Sequence, residues 1–106
     1  MDNQREFYRI RYRERDCPII KVAEHSLSVL DLSEGGACIS RCEPFREGAE
    51  PLAVEIVFSD KQTVETIASF LRQDDEHVAI RFSPLIPMSI IFAEQRRLLR
   101  LYPPAE

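Results

Sequence analysis

Apolar and polar residues alternate along most of the chain in short runs, the period-two pattern of half-buried strands. Pro18–Ala23, Leu27–Leu32, Ala37–Cys42, Leu52–Phe58, Val64–Arg72 and His77–Phe82 each read as a strand. Between them lie the punctuating stretches Glu24-His25-Ser26, Glu43-Pro44-Phe45-Arg46-Glu47-Gly48, Ser59-Asp60-Lys61-Gln62 and Gln73-Asp74-Asp75-Glu76. Six or seven short strands at this spacing predict a small, mainly β antiparallel barrel or sandwich. After Pro84 and Pro87 the period changes. Ile91, Gln95, Leu98 and Leu99 fall near one helical face, which predicts a helix over about 88–101, with Ser89 as its cap and Tyr102-Pro103-Pro104 as its stop. Arg96, Arg97 and Arg100 would complement the dipole at its C-terminal end.

Residues 1–16 fit neither period. They interleave Arg5, Arg9, Arg11, Arg13 and Arg15 with Phe7, Tyr8, Ile10 and Tyr12, and they bury too little apolar surface to fold alone. A flexible arginine-rich arm over 1–16 is expected, leading into a single domain over 17–106. Within residues 1–15 five arginines face three acidic side chains, whereas the chain of 106 residues as a whole carries −4. An acidic chain of ordinary composition, 44% hydrophobic and 30% charged, argues against a general nucleic-acid binder. No apolar run is long enough to insert in a membrane, and the arginine-rich start does not read as a signal peptide. Cys17, Cys38 and Cys42 are odd in number and form no C-x-x-C pair, so they read as free thiols of a cytoplasmic protein. With His25 and His77 they match no common zinc spacing, and no metal site is expected.

The most informative stretch is Asp31-Leu32-Ser33-Glu34-Gly35-Gly36, set between two apolar runs. Adjacent glycines are costly inside a strand pattern, and fit where the backbone turns with positive φ or where something approaches it closely. Asp31 and Ser33, two apart, present a carboxylate and a hydroxyl to one face. That pair suits a hydrogen-bonding heterocycle better than a metal, for which one carboxylate supplies too few ligands. An Asx turn at a strand end would explain the same residues.

The run Arg5-Glu6-Phe7-Tyr8-Arg9 is an R-x-x-x-R motif, and Asp31–Gly36 is D-x-S-x-x-G. The two motifs in this order, ahead of a run of strands and a terminal helix, resemble the PilZ domain family of bacterial cyclic di-GMP receptors. The resemblance covers most of the chain and implies a PilZ-like split barrel of six to seven strands. It also implies that Arg5 and Arg9 hold phosphate and guanine, that Asp31 and Ser33 bond a guanine edge, and that Gly36 with Gly35 keeps the bend thin. Arg72 matches a later arginine that the family often carries. Phe70 would be an aromatic platform or else core, and Arg72 a ligand contact or else a surface charge. Two departures stand out: Gln4 where many members have an arginine, which bears on whether one or two ligand molecules are held, and Ala79 where a glycine is common. The function implied is a nucleotide-sensing module without catalysis. Its arm would become ordered on the ligand and show an unidentified protein partner a changed surface. A thiol hydrolase using Cys38 or Cys42, and a small-barrel interaction or RNA-binding module, are the other classes considered. No catalytic residue and no cofactor beyond the ligand itself are expected.

Overall fold

The computed structural model describes residues 8–103. Seven strands occur in chain order: β1 (Ile10–Arg11), β2 (Ile19–Val22), β3 (His25–Leu32), β4 (Gly36–Ser40), β5 (Leu52–Val57), β6 (Thr63–Gln73) and β7 (His77–Phe82). One helix follows, α1 (Met88–Leu101), and a single 3-10 turn spans Glu14–Asp16. Every pairing is antiparallel. The order β3-β2-β5-β6-β7-β4 closes on itself through β3–β4, and β1 adds an extra strand against the C-terminal end of β3. The protein is thus a closed six-stranded antiparallel barrel with one added strand and one C-terminal helix. Closure removes the unpaired edges that an open sheet of this size would expose.

Alternation decides what fills the barrel. Val54 and Ile56 of β5, Val78, Ile80 and Phe82 of β7, and Ile20 and Val22 of β2 point inward and are buried. Ile90 and Ile91 of α1, Ile86 before it and Phe45 from the β4–β5 loop join the same cluster, so the helix and that loop complete the core. Phe45 lies in a stretch whose proline and glycine mark it as loop, yet it is among the most deeply buried side chains.

The stretch expected as an arm over 1–16 divides. Residues 1–7, and with them Arg5, lie outside the described residues. From Ile10 onward the segment is packed: Ile10 is buried opposite Leu32, and the Tyr12 amide donates to the Leu30 carbonyl at 3.0 Å. Helix α1 also corrects the sequence reading at both ends. It begins on Pro87, whose carbonyl accepts from the Ile90 amide at 3.0 Å, and no side chain caps it; Ser89 sits inside the first turn. Arg97, expected at the helix dipole, is turned inward instead. Its Nε and Nη2 donate to the buried Glu94 carboxylate at 3.1 and 3.2 Å. Tyr12 Oη donates to the same carboxylate at 2.7 Å, and ties the N-terminal segment to the helix.

Candidate functional site

Two bulges place the polar residues. Along β3, Val29 faces inward, so strict alternation would send Asp31 inward as well. It does not, because the ladder with β4 pairs Val29 with Ile39 and Asp31 with Cys38, which leaves Leu30 as an extra residue. The bulge turns Asp31 to the outer face and returns Leu32 to the core. The same device acts in β6. Phe70 pairs with Ile80 and Arg72 with Ala79, Leu71 is extra, and Arg72 is thereby turned away from the barrel interior. The registers then set Arg72, Ala79, Cys38 and Asp31 in one row across β6, β7, β4 and β3. The neighbouring outward row is Ser69, Arg81 and Gly36.

A cleft of about 360 Å³ lies over these rows, in the range of roughly 300–1,000 Å³ usual for small-molecule sites. Gly36, Cys38 and Ala79 form a floor of short side chains. Arg9, Asp31 and Ser33 line one side, Leu71 and Arg72 the other, and His77, Asp74 and Arg81 complete the rim. Arg9 Nη1 donates to Asp31 Oδ2 at 3.5 Å, with the two side chains 31% and 15% exposed. Asp31 Oδ1 has no partner among the described residues. A pair this long holds loosely, on the order of 0–1 kcal/mol, and the partly exposed Arg9 can turn from Asp31 to a ligand that offers better geometry.

The bend itself is closed by its own hydrogen bonds. The Ser33 amide donates to the Gly36 carbonyl at 2.9 Å. Ser33 Oγ accepts from the Gly35 amide at 3.3 Å and donates to the Gly36 carbonyl at 3.4 Å. Outside bonds pin it to the barrel: the Phe82 amide donates to Gly35, and the Ile86 amide to Glu34, at 2.9 and 2.8 Å. The local turn is therefore built by the Ser33 hydroxyl, while the Asp31 carboxylate faces Arg9. Positive φ is not what the glycine pair supplies; among the described glycines it occurs only at Gly48, at 86°. Close approach is. A Cβ on Gly36 would run into the Ile80 carbonyl of β7.

Arg9, Asp31, Ser33, Gly35, Gly36 and Arg72 thus meet around one cleft. Phe70 does not line it; this side chain faces the barrel interior and packs against the core, as its place opposite buried Ile80 requires. Arg81, His77, Asp74, Cys38 and Leu71 also line the cleft but were not read as ligand-binding residues. The outward parity of Cys38, Ala79 and Arg81 was readable in the sequence, but the two bulges that bring β3 and β6 into register beside them were not. The cleft side chains Arg9, Arg72 and Arg81 outnumber Asp31 and Asp74, so a protein of net charge −4 concentrates positive charge here.

Burial, and then the charges of Asp31 and Asp74, push the Cys38 thiol up from its ordinary value against the opposing pull of Arg9 and Arg72. It is a neutral thiol at pH 7, and burial likewise pushes up Cys17 and Cys42. The exposed Asp74 carboxyl is pulled down by the amides of Glu76 and His77 that it accepts. No cluster of three metal-ligating residues occurs among the described residues, and no described helix is long and apolar enough to cross a membrane.

Comparison with curated proteins finds no match. Among solved structures, an uncharacterized Legionella protein, Lpg0364, matches with a TM-score of 0.59 and 15% identity, over 86% of this chain and 92% of its own. At that identity the likeness speaks for the fold alone. The family model of the PilZ domain matches residues 3–101, which takes in both motifs, all seven strands and the helix. The chain belongs to the PilZ domain family, a family of cyclic di-GMP-binding modules.

Proposed function

We propose that this domain is a receptor for cyclic di-GMP and that the ligand occupies the cleft over Gly36, Cys38 and Ala79. The observation that carries this reading is the convergence of Arg9, Asp31, Ser33, Gly36 and Arg72 on one small-floored cleft. Guanine offers N1–H and N2–H donors on one edge, and a carboxylate accepts two such donors side by side. Asp31 supplies that acceptor once Arg9 moves from it to a phosphate or to the O6/N7 edge of a base. The guanidinium fork suits either target bidentately. Arg72, across the floor, meets the other half of a ligand that carries two phosphates and two guanines. The short floor lets a flat base lie against the sheet, although the Ala79 methyl makes it shallower than the glycine common in the family.

Arg5, four residues before Arg9, acts on the same ligand, and binding fixes the segment that contains both. Phe7 and Tyr8 between them then lie beside the nucleotide and alter the surface offered to a partner protein. Ordering that segment costs backbone entropy of roughly 1–2 kcal/mol per residue, so affinity falls below what the contacts alone would give.

Calorimetric titration tests the binding. The wild type is expected to bind cyclic di-GMP saturably, and Asp31→Ala to weaken it far more than cyclic di-AMP, since adenine has no N1–H to donate to a carboxylate. Equal weakening of both nucleotides would return Asp31 to a purely structural role. A polynucleotide ligand would show a steep salt dependence in place of the shallow one expected for two phosphates.

A further inference from the structure

Helix α1 turns Ile90, Ile91 and Glu94 inward and leaves a second apolar row facing out. Met88, Phe92 and Leu99 are 52%, 46% and 50% exposed, and with Gln95 they follow one another at helical steps of four, three and four. Beside the lower half of this stripe runs a groove of about 230 Å³, walled by Tyr8, Arg11 and Arg13 from the start of the chain and by Leu98, Leu99 and Tyr102 from its end. Specific contacts tie the two ends of the chain together at this groove. The Arg13 guanidinium lies 3.6 Å from the centre of the Tyr102 ring, and Arg15 Nε donates to Tyr102 Oη at 3.0 Å.

We propose that the stripe and groove together are a docking surface for an amphipathic helix of an acidic protein partner, one whose apolar row is bordered by Asp and Glu. Charge selects that occupant. Arg11 and Arg13 border the groove, and Arg96 and Arg100 stand on the other side of the stripe. The single carboxylate of α1, Glu94, is turned into the protein, so nothing on the helix neutralises this border. Arg11, Arg96 and Arg100 have no carboxylate partner among the described residues. A second copy of the chain fits poorly, because a twofold contact through this face would set arginine against arginine. A bilayer fits poorly as well. The groove is concave and Gln95 interrupts the stripe, whereas a partner's side chain can fill a slot that a flat lipid surface leaves empty. The surface lies on the helix rather than in the cleft and does not rest on the nucleotide reading.

The test is a peptide-display selection on the intact protein, using a helical library with a fixed apolar row and randomised flanking charge. Counter-selection uses the Phe92→Glu/Leu99→Glu variant, whose changes are at exposed positions and whose fold is checked by circular dichroism. Enriched peptides are expected to carry acidic flanks, and to lose about tenfold or more in affinity by fluorescence anisotropy on the variant. Their binding should weaken as salt is raised. Absence of enrichment, basic flanks, or equal binding to the variant would overturn the proposal. So would a concentration-dependent dimer abolished by the same substitutions, or phosphatidylglycerol vesicles that displace the selected peptides.

Discussion

Replacing Tyr12 by phenylalanine removes one hydroxyl and leaves the ring that packs against the core. That hydroxyl donates to Glu94 Oε1 at 2.7 Å, and Glu94 is 3% exposed, so water cannot easily replace it. A hydrogen bond to a charged group contributes about 1.5–3 kcal/mol. Arg97 keeps its two bonds to the carboxylate, so Tyr12→Phe should cost about 2 kcal/mol, the middle of that range. Glu94→Leu should cost more, about 3–5 kcal/mol, because it strands both the Arg97 guanidinium and the phenol. The two losses should not add when Tyr12→Phe is combined with Glu94→Leu, since they share one bond. Urea denaturation at pH 7, with a common slope, measures all of these. An alkaline limb gives an independent check. Burial first, and then the Glu94 hydrogen bond and charge, hold the Tyr12 phenol above its ordinary value of 10.0. The folded state therefore favours the neutral phenol. This stabilisation is complete below the ordinary value and drains away as pH rises beyond it, because the unfolded chain ionises first. Wild type should lose stability more steeply above about pH 10 than Tyr12→Phe. A variant within about 0.5 kcal/mol of wild type, with a parallel alkaline limb, would refute the reasoning.

Gly36→Ala should lower stability by about 1–3 kcal/mol, because its Cβ meets the Ile80 carbonyl and β4 must part from β7 to admit it; an unchanged urea midpoint would contradict this. Arg9→Ala and Arg72→Ala should each weaken cyclic di-GMP about tenfold or more in calorimetry, with lysine a poor rescue at either site. Neither change should move stability by more than about 1 kcal/mol, and wild-type affinity in both would remove the arginines from the site. Amide exchange over residues 4–12 should show the Tyr12 amide protected with or without ligand, since it bonds Leu30, and residues 4–8 protected only with cyclic di-GMP. Protection of residues 4–8 without ligand would mean a preformed site and another route for the signal.

The strands were legible because alternation is a property of the chain itself, and β5 and β7 could be read almost residue for residue. The helix was legible for the same reason, but its start was misplaced: Pro87 opens it through its own carbonyl, and Ser89 has no capping task. The cleft was half legible. The two motifs named Arg9, Asp31, Ser33 and Gly36, yet simple alternation places Asp31 on the face of Val29 and Arg72 on that of Phe70, inside the barrel. The bulges at Leu30 and Leu71 that turn them out are set by pairing with other strands. A hint was present in Val29-Leu30-Asp31-Leu32, where strict alternation cannot keep both Val29 and Leu32 inside. The packed half of the expected arm was missed because β1 is two residues long and gains its stability from β3 and α1. The Tyr12–Glu94 bond joins positions 82 residues apart, and no local pattern announces it.

The proposed function depends on the cleft of Arg9, Asp31 and Arg72 holding a guanine dinucleotide. Chemical-shift mapping of isotope-labelled protein during titration with cyclic di-GMP tests it most directly, because it reports binding and location together. Saturable shifts concentrated at the Gly36 and Cys38 amides, the Ala79 methyl and the Arg9 and Arg72 side chains are predicted, with those of β2 and β5 unmoved. No saturable shift at millimolar nucleotide, or shifts gathered away from β3, β4 and β7, would contradict it.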